Sequence, residues 1–208
     1  MSNRIQQIAL QQNIPYLCHF THISNVPTIL KYGICSVDLL NECGMPYKRN
    51  DALRIDGYTN FNCLSISFPN DVLFSRFRNR SVNKYSSWVV LLINPSVLWE
   101  TNILFCITNS ANSGGRFVGY RPDYFQRFFI DNPRHLPRSR TNLFSYMPTD
   151  VQAEVLVQDI VPTEYILSCV VADRNSLDIL PPRDNFYQIQ PLFFESRANY
   201  IQHKLIKA

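Results

Sequence analysis

The sequence predicts a mixed α+β fold built around a split or sandwiched sheet. Five or six segments have the length and apolar content of strands, and short segments between them repeat apolar residues at helical spacing. Two long polar stretches, residues 41–59 and 109–149, interrupt this pattern and predict long loops. With 208 residues and an apolar content of 46%, the chain can bury one substantial core, so we expect residues 1–208 to form a single domain.

The N-terminal part predicts a helix, a strand and a second helix. Residues 2–12 have weak helical spacing, and residues 16–21 read as a strand. A helix over residues 25–32 follows, with Ser24 as its N-cap and Gly33 at its C′ position. The first strand therefore leads almost directly into a capped helix.

The remainder of the chain predicts five strands separated by short helices. The strands are expected at residues 62–68, 88–93, 103–107, 151–157 and 165–171. The helices are expected at residues 71–80 and 122–130, with a short turn or helical piece at 95–99. The continuous apolar run at 88–93 is typical of a central strand that is buried on both faces.

The composition excludes several classes of protein. A charged content of 17% beside 46% apolar residues is unlike that of disordered chains. No apolar run approaches the roughly 20 residues of a membrane span, and the N-terminus lacks a signal peptide, so we expect a cytoplasmic protein without membrane association. The six cysteines have no metal-ligand spacing, so we expect reduced thiols and no metal. Neither a GxGxxG nor a GxxxxGK motif is present, so a bound nucleotide would need a different architecture.

Three predicted strands each carry a pair of polar residues two positions apart, which places both side chains of a pair on one face. These pairs are His19 with Thr21, Ser65 with Ser67, and Gln152 with Glu154. The last pair holds a carboxylate beside an amide, which suits an enzyme that grips a hydroxyl and removes a proton. The alternative for the last pair is a half-buried strand whose polar face contacts water. The alternative for the His and Ser pairs is that they are structural residues with satisfied hydrogen bonds.

Residues 109–149 contain arginines and aromatic residues in close alternation. The net charge of the whole chain, +4, is by itself only a mild bias toward anionic partners. Positive groups beside stackable rings suit single-stranded nucleic acid. The candidate contacts are Arg116, Tyr120, Arg121, Arg138 and Arg140. The alternative, for residues 124–129, is an amphipathic helix with its aromatic residues in the core. A smaller basic run, Arg76, Arg78 and Arg80, has a solvated helix face as its alternative.

Four ordered stretches resemble the DarT family of DNA ADP-ribosyltransferase toxins, over roughly residues 16 to 171. They are HFTHISNV at 19–26; RIDG at 54–57 leading into CLSISFPN at 63–70; WVVL at 88–91 continuing to FCITN at 105–109; and PTDVQAEVLV at 148–157. This resemblance implies an ADP-ribosyltransferase-like split β-sandwich with short flanking helices and NAD bound in a cleft between two sheets. It further implies transfer of ADP-ribose from NAD to a base of single-stranded DNA, with guanine slightly favoured over thymine.

The resemblance also implies roles for individual residues. Glu154 would be the catalytic carboxylate, and Gln152 would orient the incoming base. Arg54 would act in catalysis and bind the NAD pyrophosphate or a base carbonyl, with Arg49 as a rival for this role. The remaining cofactor contacts would be His19, Thr21, Asn25, Ser65 and Ser67, and a purely structural role is an equal alternative for the two serines.

A toxin of this family implies a DarG-like macrodomain antitoxin that removes the modification. Two other functions are compatible with the same residues. The acceptor could be RNA or protein instead of DNA, or the chain could be a non-catalytic nucleic-acid-binding module. A binding module would bind DNA in a salt-sensitive manner without consuming NAD.

Overall fold

The computed structural model describes residues 2–48, 56–80, 86–112 and 117–207. Its strands are β1 (Leu17–His22), β2 (Ile34–Cys35), β3 (Phe61–Ile66), β4 (Trp88–Ile93), β5 (Ile103–Cys106), β6 (Val118–Gly119), β7 (Glu154–Gln158), β8 (Ile160–Val161), β9 (Ile166–Val171) and β10 (Tyr187–Ile189). Eight of these strands form one sheet in the order β10-β9-β4-β1-β3-β7-β5-β6, and β2 pairs with β8. The β9–β10 pair is parallel, and the other pairs are antiparallel.

Short helices flank this sheet. They are α1 (Ser2–Gln11), α2 (Val26–Tyr32), α3 (Val37–Glu42), α4 (Asp71–Arg80), α5 (Val97–Glu100), α6 (Pro122–Gln126), α7 (Arg174–Leu177) and α8 (Arg197–Ile206). Turns of 3-10 helix occupy Ile23–Asn25, Arg127–Phe129, Arg138–Arg140, Thr163–Tyr165 and Pro191–Phe194. Among the described residues, no helix has both the length and the apolar character needed to cross a membrane.

The two faces of the sheet bury separate apolar clusters. On β4, Val89 and Leu91 pack into one cluster while Val90 and Leu92 pack into the other. The first cluster includes residues of α1, α2, α5 and α6, and the second includes residues of α4 and α8. Burial on both faces explains why the sequence of β4 is continuously apolar and does not alternate.

The sheet opens at its centre. Strand β1 pairs with β4 over six residues, but its register with β3 joins only Leu17 with Ile66 and Cys18 with Ser65. Past this junction the His19 side chain bridges the two strands, since its Nδ1 atom donates a hydrogen bond to the Cys63 carbonyl oxygen at 3.0 Å. The predicted α+β fold with a split sheet is therefore confirmed.

The third predicted polar strand is shorter than the sequence indicated. Strand β7 begins at Glu154, and Gln152 lies in the turn before it. The carboxylate of Asp150 stabilises the turn, because its Oδ1 atom accepts a hydrogen bond from the Gln152 backbone N–H at 2.8 Å. The prediction that Gln152 and Glu154 share one strand face was therefore wrong.

Four other local predictions need correction. Strand β3 ends at Ile66, and Ser67 adopts a left-handed φ of 61°, so the two serines do not continue one strand face. Ser24 lies inside a 3-10 turn capped by His22 and does not cap α2. The predicted loop at 41–59 begins with the end of α3, and the predicted helix at 122–130 divides into α6 and a 3-10 turn.

Candidate active site

A cavity of about 660 Å³ lies where β1 and β3 diverge. This volume falls within the roughly 300–1,000 Å³ that small-molecule and cofactor sites occupy in proteins. Six of the residues predicted from the sequence line the cavity, namely His19, Thr21, Asn25, Ser65, Gln152 and Glu154. The opening of the sheet thus brings together side chains from three separate parts of the chain.

Glu154 lines the cavity with a buried carboxylate, and only 3% of its surface is exposed. Its Oε1 atom accepts hydrogen bonds from the side-chain amides of Asn109 at 3.2 Å and Asn70 at 3.5 Å. Its Oε2 atom accepts a hydrogen bond from the Ser110 backbone N–H at 3.0 Å. These donors fix the carboxylate in one orientation and stabilise its charged form in a buried environment.

The elements on either side of β7 supply these donors. Asn70 lies at the start of α4, where its Oδ1 atom accepts a hydrogen bond from the Leu73 backbone N–H, as an N-cap residue does. Asn109 and Ser110 follow β5, whose Cys106 pairs directly with Glu154. Asn109, Ser110 and Asn70 were not predicted as site residues. Asn70 and Asn109 lie in two of the stretches that resemble the DarT family, and this position could have identified them.

A second carboxylate, that of Asp56, lies near Glu154. The Ser110 hydroxyl donates a hydrogen bond to Asp56 Oδ2 at 2.7 Å, so Ser110 contacts both acidic residues through different atoms. Burial and the Glu154 charge raise the pKa of the neighbouring Cys106 thiol. Cys106 therefore stays protonated at neutral pH, so its sulfur is not a thiolate nucleophile.

His19 and Thr21 present polar atoms from β1. Because the His19 Nδ1 atom donates to a backbone carbonyl, the Nε2 atom of the neutral ring is an acceptor. The Thr21 hydroxyl accepts a hydrogen bond from the Asn25 amide at 3.0 Å. Both residues line the cavity, as a role in contacting a ligand requires.

Asn25 also lines the cavity, but its side chain serves the protein itself. Its amide donates hydrogen bonds to Thr21 and to the Lys48 carbonyl oxygen at 3.0 Å, and its Oδ1 atom accepts one from the Lys48 backbone N–H at 2.7 Å. This double contact fixes the backbone of Lys48 beside the cavity. Asn25 thus positions Lys48, and its predicted contact with the cofactor stays a prediction.

The two predicted serines differ. Ser65 lines the cavity, and its hydroxyl oxygen accepts a hydrogen bond from the Asn70 backbone N–H at 3.2 Å. Ser67 is fully buried outside the cavity lining, and its hydroxyl donates to the Tyr146 carbonyl oxygen at 3.2 Å. The structural alternative therefore fits Ser67 better than contact with a cofactor does.

The aromatic residues of the 109–149 segment divide between core and surface. Phe125 and Phe128 are buried, and the Phe125 ring stacks on Phe105 with centroids 4.7 Å apart. The core alternative is therefore correct for these rings. Tyr120 remains 59% exposed, so its ring is available to a partner.

The arginines of this segment also differ in their surroundings. The Arg138 guanidinium donates to the carbonyl oxygens of Met147 and Phe144 and to Thr149 Oγ1, and burial lowers its pKa. These contacts give Arg138 a structural role, and its predicted role in DNA binding stays a prediction. Arg121 forms an exposed ion pair with Asp123 at 3.0 Å, and Arg140 is exposed.

Three predicted arginines, Arg49, Arg54 and Arg116, lie outside the described residues. The cavity lining includes none of Tyr120, Arg121, Arg138 and Arg140. Within the described parts of the chain, no cluster of three or more His, Cys, Asp or Glu side chains has the geometry to hold a metal ion. All six cysteines are free thiols, as the sequence predicted.

Residues 18–181 match the family model described as that of the ssDNA thymidine ADP-ribosyltransferase, DarT. The chain belongs to the DarT family. This match covers most of the chain and includes the cavity residues from His19 to Glu154. The family consists of enzymes that use NAD to modify single-stranded DNA. No curated protein matches the sequence.

Solved structures of this family share the fold. Thermosipho africanus DarTG in complex with ADP-ribose superposes with a TM-score of 0.62 at 20% identity, covering 86% of this chain and 50% of that chain. Thermus sp. 2.9 DarT in complex with ADP-ribosylated ssDNA gives a TM-score of 0.61 at 13% identity, covering 88% of this chain and 97% of that chain. The same Thermus protein in complex with NAD+ gives 0.59 at 13% identity, covering 88% of this chain and 98% of that chain. This chain thus spans half of the Thermosipho chain and nearly all of the Thermus protein.

Proposed function

We propose that this protein transfers ADP-ribose from NAD to a base of single-stranded DNA and releases nicotinamide. The buried Glu154 carboxylate, which accepts hydrogen bonds from Asn70, Asn109 and Ser110 inside a cavity of cofactor size, is the observation that carries this proposal. The Thermus relatives were solved with NAD+ and with ADP-ribosylated ssDNA, which supports NAD as co-substrate and DNA as acceptor.

Glu154 acts twice in the proposed reaction. The bond between the nicotinamide nitrogen and C1′ of the ribose breaks, its electron pair leaves with nicotinamide, and positive charge develops on the ribose. A negative carboxylate in a site of low dielectric constant stabilises that charge strongly. When a base nitrogen attacks C1′, Glu154 accepts the proton that this nitrogen loses.

The other cavity residues have supporting roles. His19 and Thr21 contact the nicotinamide ribose or its amide from β1, while Gln152 orients the base from the turn before β7. Ser65 acts indirectly, because its hydrogen bond to the Asn70 backbone holds the residue that contacts Glu154. Arg54 supplies the positive charge that binds the NAD pyrophosphate or a base carbonyl, with Arg49 as the alternative.

We take thymine as the first candidate for the modified base, because the matching family model is that of a thymidine ADP-ribosyltransferase. The guanine preference expected from the sequence has no support in the family description and is the second candidate. In thymidine N3 is the only ring nitrogen that carries a hydrogen, so N3 is the nitrogen that loses its proton to Glu154. An unpaired base exposes this atom, which favours single-stranded DNA over a duplex.

A toxin role in the cytoplasm and a DarG-like macrodomain antitoxin complete the proposal. The toxin role and the antitoxin rest on the family resemblance. One structural relative is a DarTG protein, and this chain covers half of the length of that relative's chain. Co-expression tests this part, since a macrodomain partner should restore growth of cells that produce the wild-type protein. Restored growth should be accompanied by loss of ADP-ribose from cellular DNA.

The reaction itself is tested with labelled NAD offered to single-stranded DNA, RNA and cell protein in parallel. Label on DNA alone supports the proposal, while label on RNA or protein assigns a different acceptor. Salt-sensitive DNA binding without NAD consumption would instead identify a binding module. The Glu154→Gln variant is the matched control, because it keeps the size of the side chain and removes its charge.

A further inference from the structure

Among the residues that the structure describes, three exposed cations line the mouth of the cavity. Arg76 and Arg80 lie four residues apart on α4, and Lys48 lies in the segment after α3. Side chains at this spacing project from the same face of a helix, so the two arginines extend over the cavity together. Positive charges at the entrance of a cleft raise the local concentration of anionic ligands.

The middle arginine of the run on α4 has a different environment. Arg78 is 7% exposed, and its guanidinium lies over the Phe74 ring at 4.7 Å from the centroid. The basic run is therefore divided by the helical repeat, with one arginine packed into the protein and two directed to the cavity. The solvated-face alternative therefore fails for Arg78, while Arg76 and Arg80 are both exposed and part of the cavity lining.

Lys48 is held in place before any ligand binds. Asn25 fixes its backbone through both the N–H and the carbonyl oxygen, and its Nζ atom lies 3.1 Å from His22 Nε2. A side chain that is already ordered loses less conformational entropy when it binds. This makes Lys48 a better anion ligand than an unconstrained surface lysine.

We propose that Arg76, Arg80 and Lys48 bind the phosphodiester backbone of single-stranded DNA as the strand enters the cavity. This inference rests on the proposed function. The exposure of the three cations favours DNA over the NAD pyrophosphate, because the groups that fit the reacting ribose lie buried around Glu154. The half-buried rings of Tyr47 and Phe77 also line the cavity, and rings beside cations are typical of single-strand binding sites.

The test measures binding of a fluorescein-labelled single-stranded oligothymidylate at several salt concentrations. Each phosphate contact on a single strand contributes about 0.7 to the slope of log affinity against log salt concentration. The double variant Arg76→Gln/Arg80→Gln should therefore lower that slope by about 1.4, and Lys48→Gln should lower it by about 0.7. Arg174→Gln, at an exposed position of α7 outside the cavity lining, should leave the slope unchanged.

Two outcomes would overturn the proposal. An unchanged slope in the double variant means that the two arginines contact no DNA phosphate. An unchanged slope with weaker NAD binding by the same variant, measured by calorimetry, assigns the arginines to the NAD pyrophosphate. Thermal melting checks that the variants are folded. Because the measurement reports DNA binding without catalysis, failure of the proposed reaction would be recognised separately by the absence of ADP-ribose transfer in the wild-type protein.

Discussion

Removing the Asn109 amide tests how far catalysis depends on the orientation of Glu154. In Asn109→Ala, Glu154 loses the donor at 3.2 Å but keeps the Ser110 backbone N–H at 3.0 Å and the longer contact to Asn70 at 3.5 Å. A hydrogen bond to a charged group contributes about 1.5 to 3 kcal/mol. If the carboxylate needs this bond in the transition state, kcat falls by about 10-fold to about 150-fold.

Steady-state kinetics with NAD and an oligothymidylate measure this effect. The Michaelis constant for NAD should stay within about twofold of the wild-type value, because loss of an interaction that acts in the transition state lowers kcat. Asn112→Ala is the matched control: Asn112 also lines the cavity, but its amide donates to Thr108 Oγ1 at 3.1 Å. Wild-type kcat in Asn109→Ala, or an equal loss in Asn112→Ala, would refute the role given to Asn109.

Three further predictions follow from the contacts of other residues. Ser67→Ala should lower the free energy of unfolding by about 1 kcal/mol through loss of its bond to Tyr146, with no change in NAD affinity; weaker NAD binding by calorimetry would contradict this. Arg138→Gln should lower the melting temperature and leave the salt slope of DNA binding unchanged, whereas a slope reduced by about 0.7 would restore Arg138 to the DNA contacts. Burial and the Lys48 charge lower the pKa of His22 in the folded protein. As the pH falls, His22 is therefore protonated in the unfolded chain before it is protonated in the folded protein, and the free energy of unfolding should fall below about pH 6.5. Chemical denaturation of His22→Gln should show a weaker pH dependence in that range, and an unchanged dependence would exclude His22 as its source.

The sequence predicted the parts of the fold that follow from local pattern. Strand β4 and helix α4 were predicted with the bounds that the structure shows, because a continuous apolar run and a regular helical repeat need no tertiary information. Strand β10 and helix α8 were not predicted. The register of β10 beside β9 depends on contacts between distant segments, which periodicity cannot reveal.

The candidate site shows the same division. Glu154 was predicted because the order of polar strands resembles a known family, and the structure places it in the lining of the cavity. Asn109 and Ser110 were missed because their importance depends on the pairing of β5 with β7, which brings them to the carboxylate. Gln152 was assigned to a strand because alternation alone cannot detect the bond between its backbone and Asp150.

The most direct test of the account is mass spectrometry of an oligothymidylate after incubation with NAD and the protein. The wild-type protein should add the mass of ADP-ribose to the DNA and release nicotinamide in equal amount. The Glu154→Gln variant should fold, as shown by thermal melting, and add nothing. Two results would contradict this proposal. The first is that the wild-type protein modifies no single-stranded oligonucleotide, whatever its base composition. The second is full transfer by the Glu154→Gln variant.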